Sequence, residues 1–193
     1  MTREIDPIPD LEGIRSQFPI LNREKYGKPL IYFDNAASTQ KPLRVLEKLN
    51  EFYSTGYSNI HRGLHFLSEE ATAAYESARA EVTAFLGASS ADEIVFVRNA
   101  TEGINLVASS FLGGSGKTDG DIVLTVMEHH ANVVPWQIVA EKLGMRVVPV
   151  AVTTAGEVDR ESFSKALQGN VRMVAFTHVS NSLGTINPAR EMV

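Results

Sequence analysis

Three short groups of polar residues each follow a predicted strand, and their types suit ligand chemistry. The first, Asn99-Ala100-Thr101, lies between an apolar β-branched run at residues 93–97 and a segment whose apolar residues recur with helical spacing. Thr101 is a good candidate for the N-cap of that helix. Free N–H groups at a helix start attract anions, and a threonine hydroxyl beside them favours a phosphate. Taken alone, such a turn often binds nothing.

The second and third groups offer an imidazole and an amide. In Glu128-His129-His130, the ring of His129 could stack on an aromatic ligand, move protons or simply cap its loop. In the segment at residues 178–181, the amide of Asn181 could bond to a ligand or to its own turn. Neither group decides between these roles by itself.

The order of elements brings the three groups to one edge of a sheet. Strands that alternate with helices predict an α/β fold, with a mainly parallel sheet and flanking helices. Ligands of such sheets bind beyond the carboxyl ends of the strands. We therefore expect a phosphate cap, an imidazole ring and an amide to face the same ligand.

The elements that must position these groups follow from the apolar patterns. Ser68 is predicted to cap a long helix that Gly87 ends. Strands are predicted at residues 30–33, 93–97, 121–126, 145–150 and 171–176, and further helices at residues 42–56, 133–143 and 159–168.

The composition excludes several classes of protein. A formal net charge of −5 argues against binding to nucleic acid or to an anionic membrane. The chain has no cysteine, so neither a disulfide scaffold nor a thiolate metal site is possible. It has no apolar run of membrane-spanning length and no secretory signal at its start. We expect a soluble cytoplasmic protein.

Two histidines and an arginine in one glycine-broken segment have open roles. His61 and His65, together with the residues at 128–130, could be imagined as a metal site. Helical four-residue spacing is doubtful in this segment, so we predict no metal. Arg62 could hold a carboxylate, contact a neighbouring chain or be solvated.

Five longer blocks of sequence, taken together, resemble a known family. In this order they resemble the pyridoxal-phosphate (PLP) enzymes of the class V aminotransferase group, fold type I, and above all the cysteine desulfurases of the Suf (sulfur-mobilisation) type. The resemblance implies an N-terminal arm at residues 1–17 and an incomplete large domain at residues 18–193. The blocks are residues 33–38, 59–65, 97–107, 127–136 and 177–185.

The resemblance implies a role for each matching residue. Ala100 and Thr101 are similar to the phosphate site of the family. His129 is similar to the catalytic imidazole that stacks on the cofactor ring and moves protons. Asn181 is similar to the amide that bonds to the phenolic oxygen of the cofactor. The resemblance implies five substrate-binding residues, Asn35, Ala36, Ala37, His61 and Arg62.

Several groups that this family needs are not found in the chain. None of its seven lysines follows a Ser-Gly-His segment, as the Schiff-base lysine of the family does, and no cysteine is present to take up sulfur. The family's aspartate beside the pyridine nitrogen and its carboxylate-binding arginine also fall beyond the match. We therefore expect an N-terminal portion that is truncated before the lysine and inactive alone.

The resemblance also implies a reaction and partners. The full-length enzyme would convert L-cysteine into L-alanine and pass the sulfur, as a persulfide, to an acceptor protein for iron–sulfur cluster assembly. It would act as a homodimer. Three alternatives stay open: a selenocysteine lyase, another class V enzyme, or a non-catalytic half that needs a partner chain.

Overall fold

The computed structural model describes residues 10–114 and 119–193. The described residues divide into two compact units, with the boundary between Val95 and Phe96. Residues 1–9 of the expected N-terminal arm lie outside the described residues. The rest of that arm contains a short helix, α1, at Leu11–Ser16, which the side chain of Asp10 caps.

The first unit consists mainly of helices. Tyr26 and Gly27 connect its two short antiparallel strands, and both have positive φ angles, as a tight two-residue hairpin turn requires. The elements after α1 are β1 at Glu24–Lys25, β2 at Lys28–Pro29, α2 at Leu43–Glu51, continued by a π-helical turn at Phe52–Gly56, and α3 at Phe66–Leu86.

The ends of α3 test two sequence predictions. Gly87 ends the helix in a left-handed conformation, as predicted. The prediction that Ser68 caps its start was wrong, because His65 is the N-cap and its Nδ1 accepts from the N–H of Ser68 at 3.4 Å. The hydroxyl of Ser68 instead donates to the carbonyl of Asn59 at 2.8 Å, which attaches the preceding loop to the helix.

The second unit alternates helices and strands as the sequence predicts. Its predicted elements between residues 121 and 176 are confirmed with shifts of about two residues or fewer at their ends. The elements are α4 at Ala100–Val107, β3 at Asp121–Thr125, α5 at Val134–Leu143, β4 at Arg146–Val150, α6 at Arg160–Ala166, β5 at Val171–Ala175 and α7 at Ala189–Met192.

The three longer strands form a parallel sheet in the order β4-β3-β5. Every residue of the central strand β3 is buried. Ile122 and Leu124 face one side, where they pack with Trp136 of α5, whereas Val123 faces the other side with Phe163 of α6. Helices thus cover both faces of the sheet, and the predicted α/β class is confirmed.

Two predicted strands are not formed. Residues 30–33 pair with no strand in the described part of the chain, and the side chains of Ile31 and Phe33 are 74% and 94% exposed. In the other segment, residues 94–97 also lack a ladder, and a 3-10 turn occupies Ala91–Glu93. Both predictions were wrong, because an apolar β-branched run becomes a strand only where a neighbour satisfies its backbone groups.

Candidate functional site

The carboxyl ends of β3 and β5 lie at the same edge of the sheet, because these neighbouring strands run parallel. Residue 126 begins the loop after β3, which continues into a 3-10 turn at His130–Asn132. Cα atoms of α4 and of this turn approach within 8 Å. The second unit therefore brings α4 beside the loop after β3.

The start of α4 carries backbone donors that the fold leaves unused. Asn99 is the N-cap, because its Oδ1 accepts from the N–H of Glu102 at 2.9 Å. The prediction that Thr101 caps the helix was therefore wrong. Ala100 and Thr101 are exposed, and within the described residues neither their N–H groups nor the Thr101 hydroxyl donates a hydrogen bond. These donors suit a phosphate.

An acidic side chain beside these donors is already paired. The carboxylate of Glu102 accepts from the backbone N–H of Arg98 at 2.7 Å and from its guanidinium at 3.1 Å. The side-chain bond from Arg98, followed by the backbone bond, holds the pKa of Glu102 below its ordinary value. Because Arg98 balances this charge, Glu102 does not leave an unpaired anion at the helix start.

The ring of His129 has one nitrogen engaged and one available. Its Nδ1 accepts from the N–H of Ala131 at 3.1 Å, so that the side chain caps the 3-10 turn. This hydrogen bond assigns the proton of the neutral ring to Nε2. The side chain is exposed. Its Nε2 can therefore exchange a proton with a ligand, and its ring face can stack on one.

The amide of Asn181 is not used by its own turn. Asn181 is exposed, and within the described residues its side chain makes no hydrogen bond. Ser180 closes the turn instead, because its carbonyl accepts from the N–H of Gly184 at 2.9 Å and its Oγ from the N–H of Leu183 at 3.2 Å. The amide of Asn181 is thus available to a ligand.

Glu128, which the sequence offered only as part of a rejected metal site, connects the two loops. Its Oε1 accepts from the Thr125 hydroxyl at 2.5 Å and from the N–H of Thr177 at 2.8 Å. Its Oε2 accepts from the amide of Asn132 at 2.7 Å, whose Oδ1 accepts from the indole N–H of Trp136 at 2.8 Å. A carboxylate directly after a buried strand was the only sequence signal for this role. Its partner 49 residues away cannot be read from spacing.

In the first unit, Asn35, Ala36 and Ala37 form an exposed turn. The carbonyl of Asp34 closes it by accepting from the N–H groups of Ala37 at 3.2 Å and Ser38 at 3.0 Å. The backbone of this turn is open to a ligand. The predicted role of these three residues in substrate binding stays a prediction.

His61 and Arg62 are adjacent but differ in their contacts. His61 has a left-handed φ of 65°, and its Nε2 lies 3.3 Å from the carboxylate of Glu76. Its backbone N–H donates to the Thr72 hydroxyl at 3.0 Å. Arg62 is exposed and forms no ion pair within the described residues. Of the two, Arg62 has the charge available for a carboxylate ligand.

Neither a metal cluster nor a membrane-spanning helix occurs in the part of the chain that the structure describes. No three side chains of His, Asp or Glu lie there as metal ligands would. No helix at residues 10–114 or 119–193 is long and apolar enough to cross a membrane.

Comparison with known proteins identifies relatives of the chain. A cysteine desulfurase of Enterobacter sp. (strain 638) is 49% identical over 185 residues, which cover 95% of this chain and 45% of that protein. A cysteine desulfurase of Synechococcus elongatus is 47% identical over 184 residues, which cover 95% of this chain and 29% of that protein. The chain thus spans less than half the length of these relatives.

Solved structures show the same likeness. The apo cysteine desulfurase of Thermococcus onnurineus NA1 superimposes with a TM-score of 0.83 at 38% identity, covering 94% of this chain and 43% of that one. An S-sulfonic acid form of an Escherichia coli cysteine desulfurase gives a TM-score of 0.77 at 32% identity, covering 93% of this chain and 44% of that one. The sequence match to the family described as aminotransferase class-V extends over residues 31–193. Because this match includes most of the chain, the protein belongs to the class-V aminotransferase family.

Proposed function

We propose that the chain is the N-terminal part of a PLP-dependent cysteine desulfurase of the Suf type. In this proposal the whole enzyme is a cytoplasmic homodimer that converts L-cysteine into L-alanine. It passes the sulfur, as a persulfide, to an acceptor protein for iron–sulfur cluster assembly. The name shared by the relatives at 47–49% identity supports this activity.

The observation that carries the proposal is the set of polar groups that the second unit leaves without partners. The donors at the start of α4, the Nε2 of His129 and the amide of Asn181 belong to three segments that follow or adjoin the sheet. Among the described residues, nothing in the fold uses them. Polar groups of this kind suit a ligand with a phosphate, an aromatic ring and a phenolic oxygen on that ring, and PLP has all three.

Each residue would make its own contribution. The N–H groups of Ala100 and Thr101, with the Thr101 hydroxyl, would hold the phosphate. The ring of His129 would stack on the pyridine ring, and its Nε2 would carry a proton to or from the substrate. The amide of Asn181 would donate to the phenolic oxygen. When bound, PLP supplies an electron sink for bonds at the substrate Cα.

On the substrate side, we propose that Arg62 contacts the substrate and that the turn of Asn35, Ala36 and Ala37 faces it. Arg62 suits this role because its guanidinium forms no ion pair within the described residues and can donate hydrogen bonds to an anionic group. His61, the residue before Arg62, would also contact the substrate. The chain offers no lysine after Ser-Gly-His and no cysteine, so we propose that it binds PLP without turnover.

Binding of PLP to the purified chain tests the proposal. The titration would compare PLP with pyridoxal, which lacks the phosphate, and wild type with two variants at His129. His129→Asn keeps an oxygen that can accept from the N–H of Ala131 but removes the ring. His129→Phe keeps a ring but removes the acceptor. Aromatic contacts contribute about 0.5–1.5 kcal/mol, so His129→Asn should weaken PLP binding about two- to tenfold, and His129→Phe should weaken it less.

Three results would count against the proposal. Equal affinity for PLP and pyridoxal would show that the chain has no binding site for the phosphate. Equal losses in His129→Asn and His129→Phe would assign His129 to the turn rather than to the ring. Alanine formed from L-cysteine by the chain alone with PLP would refute the proposed lack of turnover.

A further inference from the structure

We propose that Glu128 is a positioning residue that holds the loop carrying His129 against the loop carrying Asn181. Its carboxylate would act through the backbone of these loops and would not touch the substrate. The part of this inference that concerns PLP rests on the proposed function. The part that concerns the two loops does not.

Both the N–H and the carbonyl of Thr177 form hydrogen bonds with side chains. The N–H of Thr177 donates to Oε1 of Glu128 at 2.8 Å, and its carbonyl accepts from the amide of Asn187 at 2.7 Å. The side chain of Asn187 is nearly inaccessible, with 1% of the residue exposed. Two residues from different parts of the unit therefore fix the chain at the point where β5 ends.

These hydrogen bonds also restrain Asn181, because the loop that carries it is closed by its own backbone hydrogen bonds. The N–H of Asn187 donates to the carbonyl of His178 at 2.8 Å, and the N–H of Ser180 donates to the carbonyl of Thr185 at 2.9 Å. Residues 177–187 are thus tied together by their own backbone, and Asn181 lies at their turn. A displacement of Thr177 would move this loop and the amide of Asn181 with it.

The other end of the link is the residue before His129. Glu128 also accepts from Thr125, the last residue of β3, and from Asn132, the last residue of the 3-10 turn that His129 caps. The side chain of Glu128 therefore sets the turn of His129 against β3 and the Thr177 backbone at once. Both of its oxygens thus accept hydrogen bonds from the protein itself.

Only a carboxylate satisfies these partners. All three groups around Glu128 are donors, and the amide of Asn132 must keep its oxygen towards the indole N–H of Trp136. In Glu128→Gln the single oxygen cannot accept on both sides, so the new NH₂ group would face either the NH₂ group of Asn132 or the N–H of Thr177. A flip of the Asn132 amide would only transfer the conflict, because its NH₂ group would then face Trp136.

A second substitution removes the conflict and so provides a rescue test. In Glu128→Gln/Asn132→Asp, the aspartate would accept from the glutamine NH₂ with one oxygen and from the indole of Trp136 with the other. Asn132→Asp alone would place two carboxylates against each other and should also disturb the link. A mere loss of packing would not be repaired by the second change.

Asp121→Asn is the matched control. It makes the same change of carboxylate to amide, but at the start of β3 rather than in the loop that follows the end of this strand. There Asp121 pairs with Arg146 at 2.7 Å and contacts neither loop. Thermal unfolding of every variant would show that it is folded.

Two measurements distinguish an effect on the link between the two loops from an effect on cofactor binding. The first is hydrogen exchange of the Thr177 amide by NMR, together with the indole N–H signal of Trp136, which is unambiguous because the chain has one tryptophan. The second is the affinity for PLP by calorimetry. Glu128→Gln should raise exchange at Thr177 about tenfold and weaken PLP binding about tenfold. The double variant should restore both to within about threefold of wild type, and Asp121→Asn should change neither.

Unchanged exchange at Thr177 in Glu128→Gln would overturn the link between the loops. Faster exchange with unchanged PLP affinity would overturn the positioning role and leave the cofactor site in place. If wild type binds no PLP, the proposed function and the role towards PLP fail together, while exchange at Thr177 still decides whether Glu128 joins the loops.

Discussion

Replacement of Thr101 by valine should weaken the binding of PLP without disturbing the helix that presents this residue. The sequence suggests Thr101 as the helix cap, and on that view its loss would damage the start of α4. In the structure Asn99 is the cap, with 2.9 Å between its Oδ1 and the N–H of Glu102. Thr101→Val therefore removes one donor from the proposed phosphate site and leaves the cap intact.

The magnitude follows from the donors that remain. A hydrogen bond to a charged group contributes about 1.5–3 kcal/mol, and a phosphate carries close to two negative charges. Thr101 is exposed, so water competes for the hydroxyl and the lower end of that range applies. The backbone N–H groups of Ala100 and Thr101 stay in place. Thr101→Val should therefore weaken PLP binding about tenfold, since about 1.4 kcal/mol corresponds to one factor of ten.

The assay is calorimetric titration of wild type, Thr101→Val and Thr101→Ser with PLP, pyridoxal and inorganic phosphate. Thr101→Ser keeps the hydroxyl and should bind PLP within about threefold of wild type. Pyridoxal should not distinguish the three proteins, because it has no phosphate. Added salt should reduce the difference between wild type and Thr101→Val, because the interaction is electrostatic and the site is exposed.

Three results would refute this reasoning. If Thr101→Val binds PLP as tightly as wild type does, the hydroxyl is not part of the phosphate site. If it loses affinity for pyridoxal as much as for PLP, Thr101 acts on the cofactor ring or on the fold. A large fall in thermal stability would show that the helix start depends on Thr101 after all.

Two further predictions concern charge and packing. Arg98→Gln should raise the pKa of Glu102 towards its ordinary value, though not completely, because the backbone N–H of residue 98 still donates. The pKa of Glu102 in the folded state lies below its unfolded value. The pair with Arg98 therefore stabilises the native state at pH values above the unfolded pKa, and this contribution is lost as pH falls through the folded pKa. NMR titration of the Glu102 carboxyl measures the change, and an unaltered pKa in Arg98→Gln would contradict the prediction. Ile122→Ala, at a residue with no exposed surface, should lower the free energy of unfolding by about 2–5 kcal/mol in urea denaturation, whereas Ile138→Ala, at a residue that is 60% exposed, should change it by less than about 0.5 kcal/mol. Equal costs at the two isoleucines would contradict the assignment of the core to β3.

The sequence was informative wherever one apolar pattern sufficed to define an element. The runs that became β3, β4 and β5 alternate with amphipathic helices, and each strand found its neighbours within the second unit. The runs at residues 30–33 and 93–97 have similar composition but no partner strand in the described residues, so neither forms a strand. A strand is a property of a pair, which a single segment cannot reveal.

The positions of the candidate residues in the fold were predictable, whereas their contacts were not, and their role in binding stays a prediction. Topology alone placed Asn99, His129 and Asn181 after strands or at the start of a helix. Which of two neighbouring polar residues serves the fold was not visible, as Asn99 and Thr101 illustrate, because both types are good caps. The role of Glu128 depends on Thr177, which is 49 residues away in the sequence. The spacing of residues around Glu128 gives no indication of such a contact.

The contacts separate the polar residues at this edge of the sheet into two kinds. Glu128, Asn132 and Asn187 have groups that are bound to neighbours, and Asn187 is buried, so their substitution should first disturb the loops. Thr101 and Asn181 are exposed with groups that no described residue uses, and water can solvate them at little cost. Substitution at these two should therefore change ligand affinity with little effect on stability. We expect the same of Arg62 in the first unit, because its guanidinium forms no ion pair within the described residues.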